Sequence, residues 1–181
     1  MSPKHLAEFW MLELEESFIN DLDQLLDRIE SLCKFLSFYL ERHSKEDLDY
    51  LREQSGNYEH GQRLSMGTYV RITHQEAVDI LEQTEQFSTI RSETVNLNAQ
   101  MERKLVELMG NRPVFVTEYP ASIKPFYMKK NSNDKALCFD LLMPVCGEVC
   151  GGSLREDNSY VDSVMFQLVG LGLVLIDFCN H

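Results

Sequence analysis

Carboxylates, paired glycines and an arginine are concentrated in one run, Asp140-Leu-Leu-Met-Pro-Val-Cys-Gly-Glu148-Val-Cys-Gly151-Gly152-Ser153-Leu-Arg155-Glu156. On adjoining antiparallel strands, Asp140 and Glu148 can project toward the same space. Two such carboxylates suit a hard divalent ion, and magnesium bound to phosphate uses one or two protein carboxylates. Gly151 and Gly152 remove side chains where a ligand can approach the backbone closely. Arg155 supplies a planar fork for a carboxylate, amide or phosphate. The sum is a site for a nucleotide plus a small polar ligand. A tight Gly-rich turn flanked by surface charges accounts for the same residues, and pattern alone favours that plainer reading.

Other reactive side chains carry less. Cys138, Cys146 and Cys150 are spaced C-x7-C-x3-C without a convincing fourth ligand, and read as small buried hydrophobes rather than a metal module. His43, His60, His74 and His181 have no paired acid or nucleophile at meaningful spacing, and solvent exposure is expected for most of them.

Elements must position these groups. Glu8 to Glu15 alternates imperfectly and reads as a strand. Phe18, Leu22, Leu25, Leu26, Ile29, Leu32, Cys33, Leu36 and Leu40 recur at three- and four-residue steps, predicting a long amphipathic helix. Its opposite face, with Asp21, Asp23, Asp27 and Glu30, reads as solvated. Ser44 to Asp47 caps a short second helix through Glu53, and Gly56 to Gly67 is a loop. Tyr69 to Ile72 is a short strand, after which Thr73 and Glu76 form a capping box. Another helix covers Ala99 to Met109. Pro113–Glu118, Pro125–Lys129, Ala136–Met143 and Glu148–Gly151 are short β-rich runs, with Asn131 to Asp134 a turn. Helices followed by consecutive strands predict an α+β domain on a largely antiparallel sheet.

Composition sets the outer bounds. The 181 residues suffice for one cored domain, and 44% are apolar. A net charge of −12 without a basic patch argues against direct nucleic-acid binding. Met1 to His5 lacks both a secretory signal and a transit-peptide pattern, so the five cysteines read as free thiols in a reducing compartment. The apolar run Val164 to Ile176 falls well short of the roughly 20 residues that cross a bilayer, and no membrane association is expected.

Two blocks carry a resemblance. Pro113-Val-Phe-Val-Thr-Glu-Tyr-Pro120, Lys124-Pro-Phe-Tyr-Met128 and Phe139-Asp140 through Arg155-Glu156 resemble the later catalytic core of asparaginyl-tRNA synthetases. His5-Leu-Ala-Glu-Phe9-Trp-Met-Leu-Glu13-Leu-Glu15 resembles the second strand of that family's motif 2, closer to its bacterial and organellar branch. The blocks stand in the family's order. The resemblance implies a partial class II catalytic domain over residues 1–157, mainly antiparallel sheet with an inserted helical region, followed by a divergent apolar tail, 158–181.

By the same resemblance, His5 meets the ATP phosphates, Phe9 stacks on adenine, and Glu148 with Asp140 holds magnesium against ATP. Arg155 grips the side chain of the amino-acid substrate. Glu13 stands where the sister family for aspartate has Asp; a carboxylate there accepts from an amide NH2 and repels a second carboxylate, favouring asparagine. No side chain acts as nucleophile. The implied partners are asparagine, ATP and tRNA(Asn). The implied compartment is the mitochondrial matrix, with the cytoplasm as the alternative because no targeting segment is present.

The family's motif 1 dimer elements, its motif 2 loop arginine, its motif 3 arginine and its anticodon-binding barrel have no counterpart here, and Met101 replaces a His. A homodimer is therefore doubtful, and little or no aminoacylation by this span alone is expected. A non-catalytic role, binding a full-length synthetase, is the competing expectation.

Overall fold

The computed structural model describes residues 8–55, 67–88 and 94–157. Helix α1, Leu22–His43, starts at Asp21, whose carboxylate accepts from the Asp23 amide, and carries Arg42 in its last turn, where a cation complements the helix dipole. Its apolar stripe is buried only at Leu26, Ile29 and Cys33. Leu36 and Leu40 are exposed, and Phe18 lies outside the helix, 98% exposed, so the helix rests on the sheet through its first half. The acidic face is not simply solvated. Arg71 binds Asp23, Asp27 and Glu30 together, fastening α1 to the first strand. Helix α2, Lys45–Ser55, follows directly.

Four strands form one sheet in the order β1-β2-β3-β4: β1 Val70–Thr73, β2 Val114–Pro120, β3 Lys135–Met143 and β4 Gly147–Ser153. The pairs β2–β3 and β3–β4 are antiparallel. β1 runs parallel to β2, because the connection between them carries α3, His74–Glu82, and α4, Ala99–Leu108, long enough to return the chain in the same direction. The α+β expectation therefore holds, with a mixed sheet. α3 begins with the complete Thr73–Glu76 capping box, and Asn98 caps α4 through the amides of Gln100 and Met101.

The sheet separates two cores. Leu81, Leu105, Val114, Val116, Cys138 and Leu142 pack on the α3–α4 side. Leu26, Ile29, Phe115, Phe139, Leu141 and Cys150 pack on the α1 side. Phe115 and Phe139 are both fully buried and meet edge to face at 5.5 Å, a geometry that adds about 0.5–1.5 kcal/mol to burial alone.

Several expectations are corrected. Glu8 to Glu15 forms no strand: the segment has no ladder partner among the described residues, and Phe9, Trp10, Met11, Leu12 and Leu14 are exposed. Alternation defines a strand face but cannot satisfy backbone N–H and C=O groups without a neighbour. Pro125 to Lys129 is a turn with a single bridge, Met128 to Arg155. Cys146 is exposed at the β3–β4 hairpin, whereas Cys33, Cys138 and Cys150 are buried. His74 is 1% exposed, because it opens α3 against the sheet. The Gly56–Gly67 loop lies almost wholly outside the described residues, as do His5, His60, His181 and the 158–181 tail. No helix among the described residues is long and apolar enough to cross a membrane.

Candidate active site

A β-bulge builds the acidic pair. Asp140 lies opposite Gly151 and Leu141 opposite Cys150, but Leu142 pairs with Glu148, leaving Val149 as the extra residue. Side chains alternate along a strand, so in regular register Glu148 would share a face with Cys150. The bulge turns it to the face of Asp140 and Leu142, a re-aiming that bulges characteristically perform. Both acids then converge on bare backbone. A Cβ on Gly151 would lie 3.3 Å from Asp140 Oδ1 and 3.3 Å from Glu148 Oε1. Gly152 does something different: a Cβ there would meet Phe139 Cε1 at 2.7 Å, so its lack of a side chain admits the Phe139 ring rather than a ligand.

The donor set fits magnesium in kind. Two hard carboxylate oxygens border one cradle, as expected for an ion that completes its shell with water and phosphate. No group of three or more His, Cys, Asp or Glu able to hold a metal exists among the described residues. Cys138 and Cys150 belong to opposite faces of the sheet, so they cannot share an ion.

Residues that spacing alone did not single out surround the pair. Lys124 Nζ donates to Asp140 Oδ2 at 2.8 Å and lies 3.8 Å from the centre of the Tyr119 ring. Burial alone would depress the Lys124 ammonium, but the adjacent Asp140 outweighs it and raises the group. Burial pushes the Tyr119 phenol well up, and Asp140, to which it is hydrogen-bonded, pushes it further. The His74 ring stands 4.8 Å from Tyr119, with Nε2 2.8 Å from the Val95 carbonyl. In sequence, Lys124 and Tyr119 were marked only by the Lys124–Met128 and Pro113–Pro120 blocks, and His74 by neither. Nothing in periodicity marks a lysine for burial.

Arg155 follows β4. Its guanidinium lies 4.5 Å from the centre of the Tyr127 ring. Nη2 is buried without a hydrogen-bond partner among the described residues, an uncommon state for a charged donor. Ser153 pairs with Cys138, and Arg155 bridges Met128. Both neighbours belong to the α3–α4 side, the face that carries Asp140 and Glu148. Glu13 and Phe9 are not brought to this site: both are exposed in the unpaired segment, and Glu13 makes no hydrogen bond or ion pair with Arg155. A cavity of ≈ 630 Å³ on the α1 side is lined by Leu14, Phe18, Ile29, Phe139, Gly152 and Arg155, so Arg155 borders it, whereas Asp140 and Glu148 do not.

Compared with protein families, residues 1–173 match tRNA synthetases class II (D, K and N). The chain belongs to the class II tRNA synthetases. Relatives of this synthetase domain include an asparaginyl-tRNA synthetase of Mus musculus, 37% identical over 88% of the chain and 35% of the relative. The asparagine–tRNA ligase of Buchnera aphidicola is 37% identical over 93% of the chain and 37% of its own length. Among solved structures, asparaginyl-tRNA synthetase from Pyrococcus horikoshii complexed with asparaginyl-adenylate superposes with a TM-score of 0.77 at 32% identity, covering 93% of this chain and 38% of that one. The Entamoeba histolytica asparaginyl enzyme gives 0.77 at 25% identity, covering 95% and 38%. The synthetase domain thus spans little more than a third of these proteins.

Proposed function

We propose that this synthetase domain is the asparagine- and ATP-binding half of an asparagine–tRNA ligase site, and that it has little or no charging activity by itself. The observation that carries this reading is Arg155 Nη2, a buried charged donor lacking an acceptor among the described residues. An asparagine side-chain oxygen would supply one. Asparaginyl-adenylate is the ligand in the Pyrococcus relative, and the same ligand is assigned here.

The reaction is attack of the asparagine carboxylate on the ATP α-phosphorus, with pyrophosphate leaving, then attack of a terminal hydroxyl of tRNA(Asn) on the adenylate carbonyl, with AMP leaving. Arg155, backed by Tyr127, orients the substrate side chain, and Glu13 would accept from its amide only with the 8–15 segment moved beside it. Phe9 stacks on adenine and His5 meets phosphate. Asp140 and Glu148 would hold magnesium, which would offset the phosphate charge. Catalysis is then positioning and charge neutralisation. The mitochondrial name of a relative from Schizosaccharomyces pombe supports a mitochondrial compartment, with the cytoplasm as the alternative.

Calorimetry with asparaginyl-sulfamoyl-adenylate and ATP, magnesium present, tests this reading. The wild-type chain is expected to bind, and Arg155→Lys to bind roughly ten- to a hundredfold more weakly, the weight of a charge-assisted bidentate contact. A folded wild-type chain that binds neither ligand overturns the proposal. A second reading, docking on a full-length synthetase, is favoured by Phe35, Phe38, Tyr39 and Leu40, which are exposed along the second half of α1. Co-sedimentation with such an enzyme, without adenylate binding, would select it.

A further inference from the structure

The two oxygens of Asp140 have separate fates. Oδ2 accepts from Lys124 Nζ at 2.8 Å, and Oδ1 faces the bare backbone of Gly151 beside Glu148 Oε1. The ion pair is largely removed from water, with side chains 16% and 17% exposed, so neither partner swings freely to solvent. Lys124 is itself fixed from three sides. It closes the 3-10 turn Ala121–Ile123 through a bond from its amide to the Ala121 carbonyl. It precedes Pro125 and adopts the extended conformation, φ −119° and ψ 157°, that a following proline favours. Its ammonium lies over the buried Tyr119 ring. The position of the lysine is therefore set before any ligand arrives.

We propose that Lys124 is a positioning residue for the metal half of the site. By pinning Oδ2, it leaves Asp140 a one-oxygen donor aimed at the Gly151 cradle, and it compensates one of two converging negative charges that would otherwise repel each other. Metal-ligating carboxylates depend on such hydrogen-bonded supports, and losing one lowers metal affinity about 10–100-fold. This inference rests on reading the Asp140–Glu148 cradle as the magnesium–ATP site, and goes beyond it in naming what holds Asp140.

Manganese is the probe, titrated by electron paramagnetic resonance into the whole 181-residue chain with and without ATP. Wild type is expected to bind Mn2+ and Glu148→Gln to lose it. Lys124→Met is expected to weaken Mn2+ binding about 10–100-fold, leave metal-free ATP binding unchanged, and be largely rescued by Lys124→Arg. A lysine that merely stabilised the fold would weaken both kinds of binding together. Lys124→Gln, which keeps a donor but no charge, is read in the same way if the methionine variant fails to fold. Wild-type Mn2+ affinity in a folded Lys124→Met or Lys124→Gln chain overturns the inference while the proposed function stands, provided Glu148→Gln is impaired. A wild-type chain that binds no Mn2+ overturns the metal reading and this inference together.

Discussion

Adjacent glycines in this protein answer to different neighbours. At Gly152 an added methyl would stand 2.7 Å from one Phe139 ring carbon and 3.0 Å from another, and that ring is locked between Phe115 and the α1 core. Gly152→Ala should therefore lower stability by about 1–3 kcal/mol, the usual cost of overpacking, measured as a shift in the denaturant midpoint at constant slope. At Gly151 the methyl meets the far ends of two carboxylates at 3.3 Å, which give way more easily than an interior ring. Gly151→Ala should leave the midpoint nearly unchanged and weaken Mn2+ binding instead. Equal destabilisation by both substitutions would contradict the division of roles. The buried thiols are not candidates for chemistry: burial pushes Cys33 and Cys138 up to about 11, and Cys150 higher still.

Among the elements, α3 has the most completely specified start. Thr73 Oγ1 accepts from the Glu76 amide at 3.2 Å, and Glu76 Oε2 accepts from the Thr73 amide at 2.7 Å. Thr73→Ala removes the first bond together with the donation from Thr73 Oγ1 to Glu76 Oε2 at 2.9 Å, and should cost about 1 kcal/mol (range 0.5–2), read by urea denaturation. Because Thr73 also ends β1, loosening this cap loosens the strand whose Arg71 fastens α1. The bulge at Leu141–Leu142 is the element-scale feature that matters most for the site. It adds one residue to β4 and thereby brings Glu148 onto the face of Asp140.

For the molecule as a whole, pH acts through His74. Burial, first among its perturbations, lowers its pKa from the ordinary 6.5, and the nearby Lys135 and Lys124 charges lower it further; the Val95 carbonyl and Asp140 act in the opposite sense. The folded-state pKa lies below the unfolded one, so between them the unfolded chain binds more protons. Stability attributable to this residue is intact above 6.5 and declines as pH falls through and below that value, levelling off beneath the folded pKa. Urea midpoints across that range should fall toward acid in the wild type and show a flatter dependence in His74→Gln. An identical slope in the variant would assign the acid sensitivity to other groups. The net charge of −12 is a background common to both proteins and does not affect the comparison.

Local patterns gave most of the elements. The α1 stripe, the Thr73–Glu76 box, the Asn131–Asp134 turn and the β3–β4 hairpin each depend on neighbours a few residues apart, so residue types alone specify them. The acidic pair and Arg155 were legible as residue types, and the quoted blocks tied them to the class II tRNA synthetases. Three things required the tertiary structure. Strand pairing left Glu8 to Glu15 without a ladder, which alternation cannot foresee because a strand exists only with its partner. A one-residue bulge decided the face of Glu148, and spacing cannot register a bulge. Lys124, Tyr119 and His74 come from separate elements and meet only when the sheet and α3 pack, so long-range contact, invisible to any short pattern, set the surroundings of Asp140.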